Sequence, residues 1–276
     1  MSRLQSFGRL LALPLLAGAL LVSPAEAKKS SVGGLYSISV GGFTVGRGTL
    51  SLVLQGNAYS AKVGLEPAGI GTLFTTGKGG AEASGWLVGS KVVPSTYLMT
   101  SRAADRDFFV SLKQGSGNIR SMEVTPQFKP NPERIKVTSR HQKNAMDPLS
   151  AALMPVASAK GDLGPDACKR KLPVFDGWTR FDIKMNYKEI KQVSGRGYDG
   201  PVVVCTAKWV PVAGHRPSKK SVKQMENANM EAWLAPMGQD NVLIPYRIAI
   251  DTDTGQLVVE ASKLNVESGQ RDSASR

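Results

Sequence analysis

The sequence predicts a mostly β protein. The expected form is a large curved antiparallel meander, an open barrel or β-spiral of about a dozen strands, with one short helix packed on its concave side. Three observations carry this. Short runs alternate apolar and small or polar residues and are parted by brief turn signals. Glycine, 29 of 276 residues, falls inside several of those runs. A single segment has helical rather than strand periodicity. A βαβ arrangement fails for want of helices between the strands.

The elements follow in chain order. Tyr36, Ile38 and Val40 alternate with small residues until Gly41-Gly42 breaks the run. Leu50, Leu52 and Leu54 share one face, Gln55-Gly56-Asn57 turns the chain, and Tyr59, Ala61, Val63 and Leu65 continue with period two. That is a hairpin of half-buried strands. Further strands are expected at 81–88, 95–101, 107–113 and 118–126, the last two joined by Gln114-Gly115-Ser116-Gly117. After residue 170 the pattern resumes at 174–187, 188–194, 202–211, 231–236, 243–251 and 256–266. The intra-strand glycines Gly46, Gly48, Gly64 and Gly85 weaken a flat strand but permit bulges and tight coiling. The helix is expected near 147–157. Asp147 supplies an N-cap and Pro148 the first position, and Leu149, Ala152, Leu153 and Val156 form one stripe, with Pro155 near its end. Residues 128–145 read as a Pro-rich basic connector and 212–229 as an exposed basic loop.

The ends read differently. Arg3 and Arg9, the apolar run Leu10–Val22 and Ala25-Glu26-Ala27 have the form of a cleaved signal peptide over residues 1–27. The run of about 13 residues is short of the ~20 needed to span a bilayer. The expectation is one exported β domain over 28–269, not membrane-spanning, and a disordered tail over 270–276. In an oxidising compartment the only two cysteines, Cys168 and Cys205, should pair as a structural disulfide.

The formal charge is +13, and it is regional. Residues 28–127 carry 10 basic and 5 acidic side chains, 128–223 carry 19 and 8, and 224–276 carry 4 and 8. Arg134, Lys136, Arg140, Lys143, Arg216, Lys219 and Lys220 are the candidates for a basic surface. A positive field favours anionic partners: a lipid, an anionic glycolipid or an acidic periplasmic protein. Outside the cytoplasm nucleic acid is not expected. The alternative is a solvated basic face that aids solubility.

Catalytic and cofactor signatures are thin. Gly195-Arg196-Gly197-Tyr198-Asp199-Gly200 has the spacing of a nucleotide-binding turn, but a strand follows it where a helix is required. His141 and His215 have no second histidine at metal spacing, and no Gly-x-Ser-x-Gly elbow is present. No cofactor, metal or catalytic residue is assigned. Trp86, Tyr97, Trp178, Phe181, Trp209 and Trp233, with Leu149 and Leu153 of the helix, are candidates for the core or for a concave binding surface.

Several of these residues also form an ordered series: Tyr36–Val40, the Tyr59 hairpin, Val93-Pro94-x-x-Tyr97, Met146-Asp147-Pro148-Leu149-Ser150, Val174-Phe175-Asp176-Gly177-Trp178-Thr179-Arg180-Phe181-Asp182, Cys205, and Leu243-Ile244-Pro245-Tyr246-Arg247. The series resembles the exported bacterial proteins grouped as domain-of-unknown-function family 3108. That resemblance implies a Gram-negative periplasmic setting and a largely antiparallel β domain, and no known reaction, cofactor or catalytic residue. The expectation is a non-catalytic cell-envelope protein binding an amphipathic ligand or an extended polypeptide on a concave β surface. The alternatives are an enzyme acting on an envelope polymer and a structural interaction module using the basic surface. The oligomeric state is left open. Thiol labelling of the denatured, unreduced protein should leave Cys168 and Cys205 unmodified; ready labelling of both would exclude the bond.

Overall fold

The computed structural model describes residues 29–103, 106–157, 163–195, 197–238 and 240–268. The expected signal peptide and the 270–276 tail lie outside the described residues. The strands are β1 (Lys29–Val40), β2 (Phe43–Gln55), β3 (Ala58–Pro67), β4 (Lys78–Val88), β5 (Lys91–Ala103), β6 (Arg106–Gly115), β7 (Asn118–Thr125), β8 (Met154–Pro155), β9 (Arg170–Phe175), β10 (Arg180–Val193), β11 (Gly200–Ala213), β12 (Met230–Pro236), β13 (Val242–Thr252) and β14 (Gly255–Ser268). The helices are α1 (Pro148–Ala151) and α2 (Lys220–Asn227). The strands form one antiparallel sheet in the order β7-β6-β5-β4-β3-β2-β1-β14-β13-β12-β11-β10-β9, with β8 pairing β13 off that path. The first and last strands are therefore neighbours in the middle, and β7 and β9 are the two ends of the path.

Period-two alternation builds the inner face. Val32, Leu52, Ala61, Ala83, Tyr97 and Leu112 face one another in register from β1 to β6, and all are buried. The two alanines sit in the middle of this row, and α1 packs against β4 and β5 there. Small side chains on the sheet make room for the chain that crosses it. In the other half, Met185, Val203, Cys205, Leu234 and Leu243 pack on Met154, Leu163 and Cys168. The Cys168–Cys205 disulfide is formed, with Cα atoms 5.5 Å apart, and ties the crossing segment to β11. Val202 and Val204 of β11 belong to a further cluster with Ala235, Tyr246 and Ala261, so this strand is buried on both faces. Gly195 and Gly197 lie in the connection from β10 to its antiparallel neighbour β11, which Gly200 opens as a strand. The connection packs so closely on β14 that a Cβ at Gly197 would lie 2.0 Å from the Ala261 carbonyl oxygen.

Register shifts support the coiling expected of the glycines, though unequally. The β1–β2 shift follows the Ile38–Gly46 pair and the β4–β5 shift falls at Ser84/Gly85. Gly48 and Gly64 pair regularly.

The chain from β7 to β9 passes between the ends of the sheet path. Lys143 bridges Asn118 at the start of β7, and the Ala145 amide donates to the Gly117 carbonyl at 2.9 Å. Met146 bridges Val174 of β9 in parallel, its amide donating to Pro173 at 2.9 Å and its carbonyl accepting from Phe175 at 2.8 Å. Unpaired backbone at both end strands thereby finds partners.

Asp147 follows directly and is fully buried. It caps α1 by accepting from the Ser150 amide at 2.8 Å. Its other oxygen accepts from the Ser150 hydroxyl at 2.5 Å and from Gln114 Nε2 at 2.8 Å. Gln114 Oε1 in turn accepts from the Asp147 amide at 3.2 Å, and the Tyr59 and Ser150 hydroxyls are hydrogen-bonded at 2.6 Å. Burial pushes the Asp147 carboxyl above the ordinary carboxylate range, against these hydrogen bonds, which favour the charged form.

Three expectations are corrected. The helix is four residues long, not eleven: Ala152 closes it and Met154–Pro155 is extended against Leu243 and Val242. The residue before a proline is driven out of the α region, so Pro155 ends the helix earlier than the apolar stripe implied. The segment 220–227, read as part of a loop, is a second helix whose one buried side chain is Val222, too sparse a stripe to register as periodic. The runs expected at 174–187 and 188–194 are instead β9, a turn at 176–179 and one long strand, β10. Asp176-Gly177 makes that turn.

Replacing Asp147 with Ala removes the cap and strands Gln114 and Ser150, and should cost about 2–5 kcal/mol in urea unfolding. Tyr59→Phe, which leaves the Ser150–Asp147 bonds in place, should cost about 1 kcal/mol. Because folding raises the Asp147 pKa, the native state keeps a proton that the unfolded chain has lost. Wild-type stability should accordingly fall as pH rises from the ordinary carboxylate range through the raised value, a slope that Asp147→Ala lacks.

Candidate functional site

The crossing segment divides the concave space. On the side of Pro148, Leu149 and Ala152 lies an open groove of about 810 Å³, floored by β2–β6. Its shape is set by two neighbouring cross-strand rows. One, Leu50, Val63, Ala81, Met99 and Val110, fills its positions with side chains. The next, Gly48, Leu65, Gly79, Ser101 and Phe108, has glycine at two positions and serine at a third. Leu65, Gly79, Ser101 and Phe108 of this row line the groove, which stays open where Gly79 and Ser101 carry little or no side chain. Leu65 lies on the inward-facing side of β3 yet is 50% exposed, because the groove is open above it.

Trp178 forms one wall, and local chemistry aims it there. Asp176 Oδ1 accepts from the Trp178 and Thr179 amides at 2.8 and 2.6 Å, and Oδ2 accepts from the Thr179 hydroxyl at 2.7 Å. Gly177 has φ +99°, and a Cβ there would lie 2.7 Å from Val110 Cγ1. The turn is thus pressed onto the inner face of β6. Trp178 Nε1 donates to the Pro126 carbonyl at 2.9 Å, and the ring meets Phe108 edge-on and Phe128 at centroid distances of 6.2 Å. The Arg134 guanidinium lies 3.9 Å from the Phe128 ring centroid, extending the stack.

A second cavity, about 920 Å³, adjoins Met146, Leu153 and Val156 on the other side of the segment. Lys91, Lys169, Arg170 and Lys171 line it alongside the apolar Val92 and Leu172. Lys169 pairs with Asp166 at 3.2 Å and Lys171 with Asp182 at 2.8 Å. Burial alone would raise the Asp182 carboxyl, but hydrogen bonds and charge from Lys171 and Arg180 hold it below its usual value.

The expected site residues fall in different places. Tyr97, Leu149 and Trp178 meet at the groove; Leu153 is buried and lines the second cavity. Phe181 and Trp209 are half-buried partners at 5.9 Å. Trp233 is half-buried, with Lys191 4.8 Å and Arg247 5.4 Å from its ring centroid. Trp86 is corrected: it alternates with the inward Ala83, Gly85 and Leu87 and is 51% exposed, so it is neither core nor concave surface. Val63, Met99 and the glycine floor had not been singled out; the signal for them was the Gly77-Lys78-Gly79-Gly80 cluster beside an alternating strand.

The basic residues do not share one site. Arg134 and Arg216 are neighbours, because Ile135 exchanges backbone hydrogen bonds with His215 and Gly214. Burial and the Arg216 charge lower the Arg134 pKa. Lys143 stands at β7, Lys220 reaches Asp253 in the β13–β14 turn at 3.3 Å, and Lys136, Arg140 and Lys219 are exposed. The two histidines also separate. His141 accepts from the Thr138 amide at 3.1 Å, while His215, read as loop, is buried edge-on against Trp209 at 6.2 Å. Among the described residues no three His, Cys, Asp or Glu side chains are grouped to hold a metal ion, and no helix is long and apolar enough to cross a membrane.

Residues 35–262 match the model of the family described as Protein of unknown function (DUF3108). No curated protein matches the chain. Among solved structures it is similar to a β-barrel-like protein of domain of unknown function DUF1849 from Brucella abortus, at 8% identity and TM-score 0.46, covering 88% of this chain and 99% of that one. It is also similar to the hypothetical protein CT021 from Chlamydia trachomatis, at 12% identity and TM-score 0.29, covering 88% and 92%.

Gly177→Ala should destabilise the protein by about 1–3 kcal/mol, since it combines a left-handed backbone with a sub-contact distance to Val110. A red shift of tryptophan emission should accompany it as Trp178 is lifted from Phe108. An unchanged unfolding midpoint and spectrum would contradict this account of the turn.

Proposed function

The chain belongs to the DUF3108 family, and on that premise we propose that it is a non-catalytic periplasmic protein of the cell envelope that holds the apolar part of an amphipathic molecule in the groove beside α1. The observation that carries the reading is the groove itself: about 810 Å³, walled by Leu149, Ala152, Met99, Val63 and Trp178. Its volume is in the range of small-molecule sites, roughly 300–1,000 Å³. The floor strands β2–β6 are paired on both sides, so an extended polypeptide cannot enter there as an added strand. Side-chain contact with an apolar chain is what the surface offers. The carboxylate beneath α1, Asp147, is buried and occupied by its own hydrogen bonds, which fits a structural part rather than acid–base work. The signal-like residues 1–27 and the Cys168–Cys205 bond support the periplasmic setting.

Titration with the environment-sensitive apolar probe N-phenyl-1-naphthylamine tests this. Wild-type protein should show saturable binding. Ala152→Trp and Met99→Trp, which fill the groove from opposite walls, should each weaken it about tenfold or more, a loss of about 1.4 kcal/mol. Thermal unfolding identifies any variant that has lost the fold. Binding that is absent in wild type, or unchanged in both folded variants, would sink the reading.

A further inference from the structure

Beside the groove, the chain between β3 and β4 makes a single 3-10 turn, Gly69–Leu73, followed by Phe74 and three more residues. Leu73 and Phe74 are each 80% exposed and Ile70 is 42% exposed. Large adjacent apolar side chains this open to water are not explained by packing within the chain.

The turn is firmly anchored, so the exposure belongs to the fold. The Ala68 amide donates to the Val45 carbonyl at 3.2 Å. Gly71 lies so close to β2 that a Cβ would sit 1.8 Å from the Val45 carbonyl oxygen. Gly69, at φ +55°, packs its backbone on Thr44, next to the exposed Phe43. The Phe74 and Thr75 amides both donate to the Gly71 carbonyl, at 3.1 and 3.2 Å, and the Thr72 hydroxyl donates to Gly69 at 2.9 Å. Every inward position is glycine backbone, and the apolar side chains are left to point away.

The surroundings identify the partner. No acidic residue occurs between Glu66 and Glu82; Lys78 within that stretch and Arg47 of β2 both reach Glu66, at 3.9 and 2.5 Å, so two cations meet one anion at the groove rim. Thr72, Thr75 and Thr76 flank the apolar pair and are exposed. Thr75 and Gly77 also line the groove, so the turn stands at its mouth. A narrow apolar tip with hydroxyls around it and a rim where cations outnumber the anion matches the boundary between the headgroups and acyl chains of a bilayer. It lacks the broad well-packed face of a protein interface.

We propose that the Gly69–Phe74 turn docks the protein on an anionic lipid surface, inserting Leu73 and Phe74 and setting the groove mouth against the membrane. This rests on the reading of the groove as an amphiphile site and names the surface from which that site is filled or emptied. The purified full-length mature protein is incubated with vesicles of phosphatidylcholine alone or mixed with phosphatidylglycerol and sedimented. Wild type should bind the mixed vesicles more tightly than the neutral ones. Leu73→Ser and Phe74→Ser should each weaken vesicle binding about tenfold, while N-phenyl-1-naphthylamine binding in the groove stays unchanged. Wild type that binds neither vesicle, or variants that bind as wild type does, would overturn the proposal. So would an oligomer in analytical ultracentrifugation that Phe74→Ser dissociates without any vesicle binding. If the groove reading alone is wrong, probe binding fails while vesicle binding and its loss in the variants persist.

Discussion

The architecture turns on one buried carboxylate. Asp147 sits where the chain stops bridging β7 and β9 and enters the concave space, and it answers to three elements at once: α1 through Ser150, β6 through Gln114, and β3 through Tyr59 by way of Ser150. A carboxylate withdrawn from water is tolerable only when its oxygens are occupied, and here both are. The arrangement also explains how so short a helix persists. Four residues make no stable helix alone; α1 is one turn held by its cap and by the Pro148 that starts it. Everything the segment does afterwards depends on that hold. Leu149 and Ala152 become a groove wall, Leu153 and Met154 become core, and the chain continues to the disulfide at Cys168.

Around this node the concave face is used unevenly. The sheet's inner row of buried side chains supplies cohesion, and the neighbouring row with its glycines supplies space. Both come from the same period-two rule, differing only in what occupies each inward position. Trp178 belongs to the cohesive and the open parts together: its turn is clamped on Val110 while its ring borders the groove. The exposed turn at Gly69–Phe74 extends the same logic outward, with glycine wherever backbone meets backbone and large apolar groups where nothing meets them.

Much of this was legible in the sequence, for identifiable reasons. Alternation at Leu50, Leu52 and Leu54 and at Tyr59 and Ala61 is a two-residue signal that survives without tertiary knowledge, and it located β2 and β3 with their facing side chains. The Asp147-Pro148 start was legible because capping is local. The end of α1 was not, because the apolar stripe through Leu153 and Val156 serves a different purpose: Met154 leaves the helix to pair with Leu243, far along the chain. Trp86 was misplaced for a similar reason. Strand position alone does not state which face is inward, and Trp86 falls on the face of Glu82 and Ser84, opposite Ala81 and Ala83. The groove was legible only in pieces: Tyr97, Leu149 and Trp178 were candidates, but the open space at Gly79 and Ser101 exists only once the strands are in register.

The central pairing of β1 with β14 sets an order on how the molecule can assemble. Ser30 lies opposite Ser268, and Val40 opposite Leu257. Each other neighbour along the path joins strands that follow one another in the chain, so those hairpins close short loops and form early. The β1–β14 seam closes nearly the whole chain and bears the largest loop-closure cost. During synthesis, β1–β7 can already be a sheet while β14 has not been made, leaving the outer edge of β1 unpaired until the last strand arrives. The middle of the finished sheet is thus its youngest part, and a chain halted before Gly255 would expose there the kind of free strand edge that recruits other chains.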